Sequence, residues 1–354
     1  MTGASAAESA AGRAPLVFDG IIFSLQRTGG ISVLFSEIIA RLPAESYRLV
    51  GFREAPPDAL GASRYESRAP RMMERYRRAD IGAAALFHST YYRLPRVPGP
   101  RIVTTVYDFV YERFASFPRR MVHSTQKRRA IAGSHRLICI SESTRRDLLE
   151  FEGSQYEDRC VVVPLAASEG FTPAPHIIPC PQVLFVGARG GYKNFQSVVH
   201  AMGPLRELTL VCVGGGAFTA VERDLLERTI PGRYASRGYL STAELNAEYN
   251  RSLCLAYPSL YEGFGIPVLE AMRAGCPVIA VAASSIPEVA GDAAVLLETG
   301  DPDAIRAAIK GLMQTEDRAA LVRRGHARAA GFSWERTYQR TLQVYGTLLG
   351  HPMA

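Results

Sequence analysis

Two doubly wound α/β domains in series are what this sequence predicts, on three observations. Its 354 residues exceed one small domain and fit two of about 150–200 residues each. Short apolar runs alternate throughout with helical patterns, the signature of parallel sheets covered by helices. A break falls at residues 168–181, where Pro173, Pro175, Pro179 and Pro181 crowd into a stretch of little periodicity. Proline removes backbone donors and disfavours a helix before it, so this stretch reads as an interdomain linker. The expected division is a loose tail over 1–14, a first domain over 15–167, the linker, a second domain over 182–331 and a closing segment over 332–354. The ends of the two sheets would face a cleft, since ligands of such sheets sit at the carboxyl ends of strands.

In the first half, the expected strands are Leu16–Phe23, Arg48–Phe52, Ala85–His88, Arg101–Tyr107, Arg136–Ser141 and Cys160–Pro164. Helical stretches lie between them near Ile31–Arg41, Phe114–Ala132 and Glu142–Glu150. In the second half, the strands are Gln182–Gly187, Leu208–Val213, Leu253–Pro258, Pro277–Ala282 and Ala293–Leu297, with regular helices between. No repeat of constant period appears.

At 47% apolar and 21% charged residues, the composition argues against extensive disorder. No apolar run approaches the roughly 20 residues of a membrane-spanning helix. The Ala-, Gly- and Ser-rich opening lacks a basic start followed by an apolar block and reads as a tail rather than a secretion signal. Six cysteines, all at least 20 residues apart, form no CxxC pair, which argues against a zinc knuckle. Several sit in apolar runs, so buried, reduced thiols and a cytoplasmic compartment are expected. The net charge of +7 is uneven: residues 1–165 carry 24 Lys and Arg against 17 Asp and Glu, and residues 166–354 carry 17 of each.

The most informative stretch is Tyr257-Pro-Ser-Leu-Tyr-Glu-Gly-Phe-Gly-Ile-Pro-Val-Leu-Glu-Ala-Met272. A strand ends near Pro258, a glycine loop follows, and a helix begins at about Ile266 with Pro267 in its first turn. Gly263 and Gly265 bracket Phe264 and let backbone approach a ligand. The helix start supplies amide donors and partial positive charge suited to phosphate. Glu262 and Glu270 can both border that volume; each alone would read as a loop or surface carboxylate.

Glu262-x7-Glu270 with its Gly-Phe-Gly-Ile-Pro interior resembles the signature of the retaining, nucleotide-sugar-dependent glycosyltransferase family 4, and the resemblance covers nearly the whole chain. It implies two Rossmann-like domains facing a central cleft, the GT-B fold. It further implies that Glu262 contacts hydroxyls of the transferred sugar and Glu270 the ribose. Gly263, Phe264, Gly265 and Ile266 would line the sugar and phosphates. Carboxylates suit vicinal diols because each oxygen accepts a hydrogen bond.

Phe185-Val-Gly-Ala-Arg-Gly-Gly-Tyr-Lys-Asn194 leaves the first strand of the second domain. Family members carry a basic pair here that neutralises the donor's diphosphate without a metal. Lys193, one of three lysines in an arginine-dominated chain, matches the family lysine, with Gly187 and Asn194 beside it. The usual arginine position holds Ala188, and Arg189 comes one place later.

Gly29 and Gly30, in a turn after the first strand, resemble the family's glycine loop at the phosphate and acceptor end. Asp108, ending Thr104-Thr-Val-Tyr-Asp108, has two readings: orienting the acceptor or glycine loop, or a structural hydrogen bond. Many relatives place a histidine where this chain has Tyr107. His88 reads either as a cleft group or as a packing histidine, and Ser141 either as a cleft serine or as a helix N-cap. In the second domain Gly238-Tyr-Leu-Ser-Thr242 follows a strand, and Tyr239 and Leu240 are candidates to lie against the nucleobase. Asp301-Pro-Asp303 superficially matches a metal motif but is better explained as a helix cap. Trp334 begins an amphipathic segment that resembles the family's closing helix, which crosses back onto the first domain.

Two basic clusters mark the first half: Arg71, Arg75, Arg77 and Arg78, then Arg119, Arg120, Lys127, Arg128 and Arg129, the latter interleaved with Phe114, Phe117, Met121 and Val122. They read either as solvated helix faces or as docking sites for an anionic bilayer on the inner face of the membrane. No nucleic-acid module accompanies them. The expectation is a metal- and cofactor-independent retaining hexosyltransferase with a nucleoside-diphosphate sugar as co-substrate. GDP-mannose or a related GDP-deoxyhexose is favoured, with a glycan or lipid-linked glycan acceptor, as in the mannosyltransferase-like branch of bacterial surface polysaccharide synthesis. A nucleotide-sugar hydrolase or epimerase and a non-catalytic assembly protein are the alternatives.

Overall fold

A computed structural model describes residues 16–26, 29–52, 64–313 and 315–353, with the side chains of 117–119, 122 and 315–317 outside the description. The expected tail lies outside the described residues, as do the side chains of Phe117, Arg119 and Val122 of the second basic cluster. The chain divides into two compact units, one comprising residues up to Pro164 together with Trp334 onward, the other Leu165–Ser333.

The first unit carries a seven-stranded sheet: β1 Leu16–Asp19, β2 Tyr47–Gly51, β3 Tyr65–Ser67, β4 Leu86–Ser89, β5 Arg101–Val106, β6 Arg136–Cys139 and β7 Cys160–Val162. Their order is β3-β2-β1-β4-β5-β6-β7, all parallel. Val17, Val50, Ile81 and Phe87 pack one of its fully buried clusters. Each such side chain contributes about 1.5–3 kcal/mol by leaving water.

Three sequence expectations change here. The apolar run Leu16–Phe23 is not one strand: β1 stops at Asp19 and a short helix occupies Ile21–Leu25. The Gly20 amide donates to Val50 O at 2.6 Å and the Ile22 amide to Thr90 Oγ1 at 3.1 Å, so tertiary partners turn the chain where periodicity cannot. The helical stretch near Phe114–Ala132 is two helices, Val110–Phe114 and Phe117–Gly133, broken by extended Ala115 and Ser116. Pro118 has no N–H to continue the first into the second. Strand β3 has only three residues at the sheet edge, too few to show a period.

The second unit carries β8 Gln182–Val186, β9 Thr209–Val213, β10 Tyr234–Ser236, β11 Cys254–Tyr257, β12 Val278–Val281 and β13 Val295–Leu297. They run parallel in the order β10-β9-β8-β11-β12-β13 over a core that includes Phe185, Phe195, Val198, Leu210 and Ile309. Strand order reverses between β8 and β11, and ligands of such sheets bind outside the carboxyl ends at that point.

Four cysteines are buried as expected, but Cys160 is half-buried and Cys180 exposed. Cys180 precedes Pro181 on the way into β8, outside any apolar run. No helix among the described residues is long and apolar enough to cross a membrane.

Candidate active site

The loops after β8 and β11, on either side of the switch point of the second sheet, meet through two bonds. Leu260 donates its amide to Tyr192 O at 2.8 Å, and Lys193 Nζ donates to Glu262 Oε1 at 2.6 Å. Both side chains of that ion pair are largely covered, at 14% and 11% exposure, and Lys193 Nζ lies 5.4 Å from the ring centres of Tyr192 and Tyr257. Burial and the Glu262 carboxylate hold the Tyr257 hydroxyl protonated, well above its ordinary pKa.

The loop after β12 completes the support. Ser284 Oγ accepts from the Glu262 amide at 2.7 Å, and Ser285 Oγ lies 2.9 Å from the carbonyls of both Glu262 and Phe264. Neither serine stands out in sequence, although a small polar pair ending a strand is a recognisable signal. The helix Ile266–Ala274 then begins after Gly265, at φ +104, with no side chain capping its first amides. That φ is what calls for glycine there, and an added Cβ would also fall 2.8 Å from Ile286 Cδ1 and push the end of that side chain aside. One turn inside the helix, half-buried Glu270 accepts from Tyr249 Oη at 2.9 Å. Desolvation pushes its pKa up to about 7, against the Tyr249 bond that lowers it.

A second glycine cradle lies on the other flank of β8. Gly187 (φ +115) donates to Val213 O at 2.9 Å, and Gly214, Gly215 and Gly216 all have positive φ. Gly214 in turn donates to Gly238 O at 2.6 Å, ahead of exposed Tyr239 and half-buried Leu240. Cβ atoms at Gly187, Gly190 and Gly191 would meet nothing within 4 Å. The run Gly214-Gly-Gly216 directly after β9 is the sequence signal for this cradle, which the candidate site residues above do not include.

Several expected site residues are structural instead. The Arg189 side chain is 2% exposed; its guanidinium donates to Glu222 at 3.0 Å and to the carbonyls of Gly214, Gly215, Gly216 and Ala217 at 2.9–3.2 Å. It also stacks 4.7 Å over Phe218. It therefore braces the glycine cradle and does not take the place of the family's diphosphate-binding arginine. Asn194, at φ +56, donates to Gly300 O at 2.7 Å and accepts from Ser197 Oγ, which ties down the turn behind Lys193.

In the first unit, His88 is fully buried between Tyr345 Oη at 2.6 Å and Thr105 Oγ1 at 2.9 Å, against Phe18 and Phe35. Burial pushes its pKa down to about 3, so it is a packing histidine and no cleft group. Buried Tyr107 donates to Thr90 O at 2.8 Å. Ser141 is a helix N-cap, accepting from the Thr144 amide at 2.9 Å. Asp108 is half-buried and accepts from the Val110 amide at 3.0 Å. Gly29 is the extended N-cap position of the helix Gly30–Arg41.

The basic clusters are partly spent inside the fold. Lys127 is buried against Glu112 at 2.8 Å and 4.1 Å over the Phe109 ring, Arg71 pairs with Glu74, and Arg128 pairs with Glu152. Asp301 caps the helix Pro302–Leu312 by accepting from the amides of Asp303 and Ala304. Among the described residues no group of three or more His, Cys, Asp or Glu is placed to hold a metal ion.

Known proteins resemble this chain in sequence and in fold. Residues 179–328 match the sequence profile of the glycosyl transferases group 1 family. The O-antigen chain mannosyltransferase B of Escherichia coli is 29% identical over 285 residues, 74% of each chain. Further curated relatives are longer, and this chain spans 29–53% of them. Among solved structures, sucrose-phosphate synthase of Thermosynechococcus elongatus superposes with a TM-score of 0.78 at 20% identity, covering 96% of this chain and 100% of that one. The Anabaena protein HepE, solved with UDP-glucose, gives 0.72 at 15% identity, covering 95% and 99%. With its group 1 domain placing Lys193 against Glu262 at the sheet's switch point, this chain is a glycosyltransferase of the GT-B fold.

Proposed function

We propose that this enzyme is a retaining, metal-independent family 4 hexosyltransferase of surface polysaccharide synthesis. It would move a hexose from a nucleoside diphosphate to a hydroxyl of a glycan or lipid-linked glycan. The single observation that carries the reading is the Lys193–Glu262 pair, 2.6 Å apart beside the uncapped amides of the Ile266 helix. In this reading the C1–oxygen bond to the diphosphate breaks while Lys193 and those amides absorb the charge that develops on the leaving phosphate. Glu262 accepts hydrogen bonds from the sugar hydroxyls and Glu270 from the ribose. The acceptor oxygen attacks C1 from the face the diphosphate leaves, and its proton passes to the departing phosphate oxygen.

GDP-mannose or a related GDP-deoxyhexose is our preferred donor, supported by the mannosyltransferase relative. No metal or further cofactor enters the proposal, because Lys193 and the helix amides supply the positive field. Exposed Met72, Met73 and Tyr76, next to exposed Arg77 and Arg78 in the chain, and exposed Phe114 and Met121 of the second cluster support peripheral contact with an anionic membrane on its cytoplasmic side.

A melting-temperature screen with GDP, UDP, ADP and dTDP tests the donor, since specific binding raises stability as RT ln(1 + [L]/Kd). GDP is expected to give the largest rise, and a larger rise with UDP would overturn the base assignment. Donor consumption that needs no acceptor would replace the transferase by a hydrolase.

A further inference from the structure

The first unit carries a cationic pocket at the edge of its sheet opposite the carboxyl ends, with a volume of about 540 Å³. Its lining includes Arg101, His135, Arg136, Arg159 and, from the C-terminal helix, Thr347 and half-buried Leu348. A contiguous hollow of about 250 Å³ shares Arg136 and Thr347 and adds Arg340. The strands themselves assemble this charge. Arg101 opens β5, Arg136 opens β6 and Arg159 directly precedes β7. Leu137 pairs with Cys160, which places Arg136, at the start of β6, next to Arg159, one residue ahead of β7.

Like charges in that position destabilise a sheet unless something offsets them. No Asp or Glu is among the residues lining either hollow. The hydrogen bonds that these arginines make go to backbone carbonyls: Arg159 to Ser134 O at 3.3 Å, Arg136 to His135 O at 3.4 Å and Asp158 O at 3.5 Å. The His135 imidazole accepts the Ile102 amide at 3.0 Å, and burial together with Arg101 and Arg159 lowers its pKa. Carbonyls orient guanidinium groups without cancelling their charge.

We propose that this pocket binds a soluble phosphorylated anion, a phosphomonoester or diphosphate, at a site separate from the Lys193–Glu262 centre. Guanidinium forks match phosphate oxygens two at a time, and a phosphate shared by Arg136 and Arg159 relieves the repulsion between them. The site is concave, and none of the exposed large apolar side chains lines it, so it suits a small anion better than a bilayer, which needs apolar anchors.

The test is calorimetric titration of the full-length protein with inorganic pyrophosphate. Binding is expected to survive Lys193→Gln and to weaken at least tenfold in Arg136→Gln/Arg159→Gln, while nucleoside diphosphate affinity in that double variant stays unchanged. Arg101→Gln, an exposed rim substitution that leaves the carbonyl bonds intact, is expected to weaken pyrophosphate binding severalfold and so guards against a misfolded double variant. Pyrophosphate binding that disappears in Lys193→Gln, or is unaltered in Arg101→Gln and the double variant, overturns the site. So does arginine-dependent sedimentation with phosphatidylglycerol vesicles in the absence of any pyrophosphate binding, which would assign the charge to a lipid surface.

Discussion

Lys193 Nζ lies 2.6 Å from Glu262 Oε1, although the two residues stand 69 positions apart and leave different strands. The pair joins the proposed diphosphate ligand to the proposed sugar ligand, so each carboxylate or ammonium orients the other. Lys193→Gln is expected to lower kcat by about 10²–10³, the usual cost of removing one donor aimed at developing charge. Glu262→Gln is expected to reduce activity as well. The double variant should lose less than the product of the single effects, with a coupling of about 1–3 kcal/mol. Steady-state kinetics of the four forms check this, and independent effects would separate the two roles.

Arg189 is expected to behave in the opposite manner to Lys193. Its guanidinium holds four consecutive carbonyls and Glu222, so Arg189→Ala leaves that loop without its buried cation. A stability loss of about 3–5 kcal/mol is expected from breaking a buried charged network. Chemical denaturation compares it with Lys193→Gln, whose loss should be smaller, because that side chain makes one ion pair at 14% exposure while Arg189, at 2%, holds five partners.

Gly265→Ala is expected to destabilise by about 1–3 kcal/mol through its positive φ, before the contact with Ile286 is counted. Because the same change displaces the amides that start the helix, nucleoside diphosphate affinity should fall with it. Combining Gly265→Ala with Ile286→Val removes the steric contact but leaves the φ strain, and should recover only part of the stability.

Glu270 carries a raised pKa of about 7, above the 4.5 of an ordinary glutamate. The folded state therefore binds the proton more tightly, and the carboxylate weighs against stability as pH rises from 4.5 through 7. Glu270→Gln is expected to raise the melting temperature more at pH 8.5 than at pH 5.5, while raising the donor KM. A gain that is the same at both pH values would show that the side chain is not desolvated.

His88 tests the first unit. Its folded pKa of about 3 lies below the 6.5 of the unfolded chain, so the unfolded state binds the extra proton in that window. This contribution is intact above pH 6.5 and is lost as pH falls toward 3, about 2 kcal/mol at pH 5. Asp19, raised from 3.8 to about 6, acts in the opposite sense between those values. The difference in slope between wild type and His88→Gln isolates the histidine. Equal slopes from pH 7 to pH 5 would place His88 in solvent.

The chain by itself determined the α/β architecture and most strands, because buried parallel strands are short apolar runs whose limits turn residues mark. It also determined the Gly263-Phe-Gly265 bend and the Lys193 and Glu262 positions, because chemistry at strand ends requires those residue types locally. Tertiary structure alone decided what the remaining polar groups do. Arg189, Asn194, His88 and Tyr107 have partners between 17 and 257 residues away, and only packing shows whether a polar group spends its hydrogen bonds inside the fold. The proximity of Arg136 to Arg159 is likewise invisible in sequence, since the register of Leu137 against Cys160 is what brings two distant like charges together.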